Sequence, residues 1–224
     1  FVPSLAGIFI FFLAMLTWVQ VGHWKNDVTL FEHAVSLIEK ESPSFAIVYN
    51  NLGHALASEK KYKEAVTQYR QAIKINSRYA TAHNNLGVAL NELKKYDEAI
   101  EQYQQAISID PNYAEAYNNQ ANAMRKKSKW KESVAYYKEA IRIKNDYADA
   151  YSNLGITLSE QGQHEEAIRQ YQKALEINSN LFQVHNNLAG LLVQQGNTFG
   201  AINHYRQAII LAPDFALAHN NLGS

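Results

Sequence analysis

The sequence predicts an all-α protein: one apolar N-terminal helix of membrane character, followed by a solenoid of antiparallel helix pairs. Three observations carry that prediction. Five consecutive blocks of 34 residues, from Ala46 to Phe215, run without an insertion, and each holds an asparagine at the same phase: Asn51, Asn85, Asn119, Asn153 and Asn187, with Asn221 opening a sixth. A fixed period of this length marks a repeat architecture in which each unit buries its apolar face against the next. Within each block, small and aromatic residues recur at helical spacing. Ahead of the blocks, residues 1–21 contain no charged side chain.

The first element is that uncharged stretch. From Leu5 to Val19 it is almost wholly apolar, with Trp18 and Trp24 near its end, where His23 and Lys25 begin. At about 1.5 Å per residue it is long enough to cross a hydrocarbon core of roughly 30 Å, and tryptophan suits the interface. It reads as a membrane helix, with a buried hydrophobic helix as the alternative. No basic stretch precedes it and no small-x-small site follows, which argues against a signal peptide. Phe1 is not an initiator methionine, so a longer parent chain is expected.

The second element is a junction, 22–45. Asp27 to about Glu41 reads as a helix with Phe31, Ala34, Val35 and Ile38 on one face, suited to capping the first block; a flexible spacer is the alternative.

The blocks follow at 46–79, 80–113, 114–147, 148–181 and 182–215, with a partial sixth at 216–224. The first half of a block carries an aromatic or His, two polar residues, then Leu-Gly and a Leu: Tyr49-Asn50-Asn51-Leu52-Gly53 with Leu56, or His83-Asn84-Asn85-Leu86-Gly87 with Leu90. The second half carries a bulky residue, then Ala, Tyr and Ala, as in Tyr62, Ala65, Tyr69 and Ala72. Small residues let two helices approach closely while the aromatics fill the space between pairs, so each block reads as a helical hairpin.

This pattern resembles the tetratricopeptide repeat (TPR) over about three quarters of the chain, and the resemblance implies a right-handed superhelical solenoid. Block three departs from it, with Gln120-Ala121 for Leu-Gly and Ser133 for Ala, and looser packing is expected there. The terminal proline appears only as Pro111 and Pro213; Ser77, Asn145 and Ser179 stand elsewhere and are expected to supply turns and caps.

The junction, with Trp24 and the run Leu30-Phe31-Glu32-His33-Ala34, resembles the segment that joins membrane helices to repeats in bacterial polytopic proteins related to the transmembrane, tetratricopeptide-containing mannosyltransferases. That resemblance spans about thirty residues. It implies a membrane part of GT-C type acting on a lipid-linked sugar, with the repeats on the non-cytoplasmic side, periplasmic or extracellular. None of the catalytic part is present, so no catalytic residue is assigned.

Composition narrows the function classes. Basic and acidic residues balance at 21 each, so no bulk field recruits nucleic acid. With no cysteine, the chain cannot hold disulfides, zinc-finger ligand sets or a thiol nucleophile. No phosphate loop, nucleophile elbow or metalloprotease motif occurs. No enzyme activity, cofactor or metal is expected of this chain.

The candidate site is therefore a binding groove. In TPR hairpins the first helix of each pair lines the inner face, which places Asn51, Asn85, Asn119, Asn153 and Asn187 there, beside Asn50, Asn84, Asn118, Asn186 and Asn220, with Ser152 replacing one member. An amide both donates and accepts, so a row of them can grip a peptide backbone without reading its side chains. The first series is similar to the asparagine ladder of the O-GlcNAc transferase repeat domain. These residues could equally satisfy neighbouring helices. The inner positions His54, Val88, Asn122, Ile156 and Gly190 are mostly neutral, which disfavours a carboxylate clamp of the chaperone-binding type.

Other clusters read as structural. Arg125, Lys126, Lys127, Lys129 and Lys131 surround Trp130 at what reads as a solvated turn. His83, His185 and His219 replace Tyr49, Tyr117 and Tyr151 and read as packing residues. Glu64, Glu98 and Glu132 recur at one phase and read as helix-start charges. The open apolar end near 199–211 needs a cap or a neighbour: a continuing chain is the favoured expectation, and self-association through the C-terminal end, head to tail into a filament, is the alternative. The leading expectation is a membrane-anchored scaffold that binds a peptide or protein partner in its concave groove.

Overall fold

The computed structural model of the chain describes residues 44–223 together with residues 28, 29 and 31. The span expected over 1–21 lies outside the described residues. So does most of the junction helix expected over 27–41, although residues 28, 29 and 31 are helical and Val28 is buried. Among the described residues, no helix is long and apolar enough to cross a membrane.

The described elements from residue 44 onward are helices: α1 Ser44–Ser58, α2 Tyr62–Ile75, α3 Ala80–Glu92, α4 Tyr96–Ile109, α5 Ala114–Lys126, α6 Trp130–Ile143, α7 Ala148–Glu160, α8 His164–Ile177, α9 Phe182–Gln194, α10 Thr198–Leu211 and α11 Ala216–Gly223. From α3 on, every odd-numbered helix begins at the first residue of a 34-residue block. The chain divides into two compact units, 1–93 and 94–224. In the first, α1, α2 and α3 pack on one another; in the second, each helix from α4 to α11 packs on its successor, and α5 meets α7 as α9 meets α11.

The sequence dictates the hairpins through one repeated turn. Lys60, Lys94, Ser128, Gly162 and Gly196 all have φ between 58° and 76°, the left-handed region, and all share one phase of the repeat. Around Lys60, the N–H of Lys61 bonds to the carbonyl of Leu56 at 2.9 Å and that of Lys60 to Ala57 at 2.9 Å. This is the Schellman closure, which satisfies the last carbonyls of a helix and reverses the chain. The same outer bond joins Lys129 to Met124, Gln163 to Leu158 and Asn197 to Leu192. Each of those acceptor residues is buried, so the turn is pinned to the core.

Inside each hairpin the small residues do what their spacing implies. Ala65, Ala99, Ala167 and Ala201, with Ala72, Ala106, Ala140, Ala174 and Ala208, are buried, as are Tyr69, Tyr103, Tyr137, Tyr171 and Tyr205. Gly53 and Gly155 have no room for a side chain: a Cβ would sit 2.7 Å from the Tyr69 ring and 2.6 Å from the Tyr171 ring.

Two sequence expectations are corrected. Block three is not loosely packed: Gln120, Ala121, Ser133 and Tyr137 are all 0% exposed. The Ser133 hydroxyl fits the alanine site because it donates to the Ala121 carbonyl at 2.9 Å. The departure falls instead on Gln120, whose amide oxygen and nitrogen both lie buried without a partner. Secondly, in three of the turns between blocks the closing side chain is the residue before Ser77, Pro111 and Ser179, not those residues themselves. The carboxamides or carboxylate of Asn76, Asp110 and Asn178 accept from the main-chain N–H groups of Arg78, Asn112 and Asn180 at 3.0–3.1 Å. Asx side chains favour this two-residue closure.

Candidate functional site

The two asparagine series occupy different depths. Asn50, Asn84 and Asn118 are buried, at 5–6% exposure, as is Asn186, whereas Asn51, Asn85, Asn119, Asn153 and Asn187 are half-buried. Within each unit the series are joined across repeats. Asn85 Nδ2 donates to Asn50 Oδ1 at 3.0 Å, Asn153 to Asn118 at 3.1 Å and Asn221 to Asn186 at 3.1 Å. The deep amides then turn to their neighbours, with Asn50 donating to Asn51 at 3.4 Å and Asn186 to Asn187 at 3.5 Å. So Asn50, Asn118 and Asn186 join repeats, and Asn85, Asn153 and Asn221 each spend one of their two amide hydrogens on the same task. Ser152 interrupts this relay. There Asn187 bonds to the Tyr171 phenol, which burial holds well above the usual tyrosine range.

The shallow row borders two clefts. One, of about 360 Å³ in the first unit, is lined by His54, Ser58, Tyr69, Asn85, Val88 and Glu92 among others. The other, of about 330 Å³ in the second unit, is lined by Ile156, Glu160, Tyr171, Asn187, Gly190 and Gln194 among others. Of the inner positions named from sequence, Val88 is 38% exposed. Gly190 stands open, since a Cβ there would meet only the Tyr205 hydroxyl, at 3.7 Å. Asn122 serves a structural role, accepting from the Tyr137 hydroxyl at 2.6 Å.

Sequence reading missed an ion pair in this region. Arg125, assigned to a turn cluster, lies at the end of α5, where its Nη1 reaches Glu160 Oε1 at 2.9 Å, 35 residues ahead. The rest of that cluster is also split. Lys127 pairs with Asp97, and that bond, helped by Lys129, holds the Asp97 carboxyl below its usual range. Lys126 and Lys131 are exposed and Trp130 is half-buried. Spacing near one repeat length was the available signal for both inter-repeat pairs.

The histidines carry more than packing. The Nε2 atoms of His83, His185 and His219 sit 3.1, 3.0 and 2.8 Å from the carbonyls of Ser77, Ser179 and Pro213, each six residues earlier. They tie the inter-block turn to the following helix. Among the described residues, no group of three His, Asp or Glu side chains could hold a metal ion. Glu64, Glu98, Glu132, Glu165 and Glu166 all stand in the first turns of their helices, where carboxylates favour the helix dipole.

Comparison with known proteins follows the same repeats. Tetratricopeptide repeat family models match residues 112–180 and 80–113, and a TPR repeat model matches 53–94 and 190–224. A stretch of 54 residues is 35% identical to the protein O-mannosyl-transferase Tmtc3 of Drosophila melanogaster; it amounts to 24% of this chain and 5% of that protein. Among solved structures, YrrB, described as a TPR protein with an unusual peptide-binding site, superposes with a TM-score of 0.63 at 22% identity, over 87% of this chain and 98% of its own. MamA superposes with a TM-score of 0.65 at 20% identity, over 78% of this chain and 96% of its own. The APC/C hetero-tetramer Cut9–Hcn1 gives 0.75 at 18% identity, over 88% of this chain and 38% of that one. At such identities these likenesses speak to the fold. With family models lying over residues 53–180 and 190–224, in step with the 34-residue hairpins, the chain belongs to the tetratricopeptide repeat family.

Proposed function

We propose that this chain is a binding scaffold, and that its clefts hold an extended peptide or protein segment along the shallow asparagine row. One observation supports the reading above others: Asn85 and Asn187 each border an open cleft while standing half-buried, so their amides lie at the boundary between helix packing and solvent. A row of amides at helical-repeat spacing can bond to successive peptide groups whatever their side chains. The test is peptide selection from a random library on the immobilised chain, repeated with Asn85→Ala and Asn187→Ala. Weaker binding in both variants is expected; enrichment indifferent to both would sink the reading.

The scaffold is proposed to be membrane-anchored through residues 1–21, with its repeats on the non-cytoplasmic side, as the C-terminal part of a larger glycosyltransferase-like protein. The sequence of 1–21 and the 54-residue similarity to Tmtc3 support this. Protease protection of the native protein in sealed vesicles tests the sidedness, and intact mass tests the parentage. A second reading, self-association, is favoured by the 79% exposure of Phe199 and the 68% exposure of Ile210 on α10. Those positions carry Glu165 and Glu176 one repeat earlier. Sedimentation velocity over a concentration series decides it: a mass that does not change with concentration removes it.

A further inference from the structure

The two clefts are copies of each other at a distance of three repeats. Ser58, Tyr69, Asn85, Val88 and Glu92 in the first correspond in phase to Glu160, Tyr171, Asn187, Gly190 and Gln194 in the second. Each cleft contains one carboxylate among its walls and no lysine or arginine: Glu92 in the first, Glu160 in the second. The carboxylate has changed sides, since Glu92 occupies the position of Gln194 and Glu160 that of Ser58, and Glu160 is paired with Arg125.

The surrounding helix faces reinforce that sign. Residues at i, i+4, i+7 and i+11 share one face of a helix. Along the asparagine-bearing face, α3 carries Thr81, Asn85, Val88 and Glu92, and α7 carries Asp149, Asn153, Ile156 and Glu160. The same face of α5 adds Glu115 and Lys126, and that of α9 adds no charge. Four carboxylates therefore stand with one lysine on these faces; Glu115 and Glu160 are paired with Lys144 and Arg125, while among the described residues no such ion pair engages Glu92 or Asp149. Arg125 engages Glu160 through Oε1, and a carboxylate accepts about four hydrogen bonds, so a second cation can still bind it.

We propose that the extended segment each cleft holds is basic and places a lysine or arginine side chain in it. The aliphatic stem lies over Val88 in the first cleft and over Ile156 and the open floor at Gly190 in the second. The charged head meets Glu92 or Glu160. Walls that set Val88, or Ile156 and Leu191, among amides and tyrosines, with one acid beside them, suit a long side chain that lays its stem on the apolar part and its charge on the acid. The inference rests on the groove reading above and adds the chemistry of the occupant.

Three fluorescein-labelled peptides of about twelve residues, roughly 40 Å when extended, test it on the full chain by anisotropy. They share one neutral sequence and differ only in carrying lysine, glutamine or glutamate at alternate positions. The lysine peptide is expected to bind about tenfold more tightly than the glutamine peptide, and to lose that advantage as salt is raised. Glu92→Gln and Glu160→Gln should each reduce the lysine preference, and Glu132→Gln, on the other helix of its hairpin, should leave it unchanged. Equal binding of lysine and glutamine peptides that still weakens in Asn187→Ala would overturn the charge inference and keep the groove. A lysine preference untouched by both glutamate variants would also overturn it. Failure of all three peptides to bind would remove the groove and the inference together.

Discussion

The Nδ1 atoms of His185 and His204 face each other at 2.8 Å, with ring centroids 5.1 Å apart. Two repeats earlier the same two phases hold Tyr117 and Tyr136, whose rings lie 6.0 Å apart. The His185 Nε2 lies 3.0 Å from the Ser179 carbonyl and must carry the proton to bond to it, so its Nδ1 is a lone pair and the bridging proton belongs to His204.

That assignment makes the pair pH-sensitive. Burial, and then the neighbouring His185, hold His204 below its ordinary value of 6.5. The unfolded chain therefore takes up a proton below that value more readily than the folded one. Stability from this pair is complete above pH 6.5 and declines as pH falls below it, until His204 protonates in the folded state as well. Urea midpoints measured across this range should show the decline, and His204→Gln, the residue at position 170, should flatten it relative to the native chain.

The glycines opposite the tyrosines predict a sharp contrast. Gly155→Ala places a methyl 2.6 Å from the Tyr171 ring and should destabilise by about 1–3 kcal/mol through overpacking. Gly190→Ala meets nothing closer than 3.7 Å and should fold with stability close to the native chain. Chemical denaturation of the two variants side by side checks both.

The left-handed turn position is occupied by lysine or serine in three hairpins and by glycine in two. A non-glycine residue there costs about 1–2 kcal/mol. Ser128→Gly and Lys60→Gly should each raise the unfolding midpoint, and Gly162→Ala should lower it although its Cβ would touch nothing.

Gln120 offers the largest single gain. Its equivalents are Leu52, Leu86, Leu154 and Leu188, all buried. Gln120→Leu removes two unpartnered polar atoms and should stabilise by about 1–3 kcal/mol. A midpoint unchanged or lowered would mean that the amide is bonded to something, such as an internal water.

The helices were legible because the period of 34 fixes phase: wherever Ala80 begins a helix, Ala114, Ala148 and Phe182 do so too. Burial was legible for the same reason. What escaped were contacts between side chains about one repeat apart. Arg125 looked like part of a basic turn until Glu160, on the next odd-numbered helix, was placed beside it. Asn50 and Asn51 are adjacent in sequence and chemically identical, yet differ in depth because a helix turns about 100° between them. The turn position hid because lysine and serine carry none of glycine's signature, and only Gly162 and Gly196 betray the backbone that all five share.

The amide relay gives the array a direction. In Asn85 to Asn50, Asn153 to Asn118 and Asn221 to Asn186, the later repeat always donates and the earlier always accepts. A repeat is thus an adaptor with a plug at one end and a socket at the other. Block 148–181 has the plug, Asn153, but Ser152 in place of the socket, so it can follow another repeat more readily than it can precede one. Shuffling these blocks in an engineered array is for that reason not commutative: orders that place 148–181 last should assemble with fewer orphaned amides than orders that bury it in the middle.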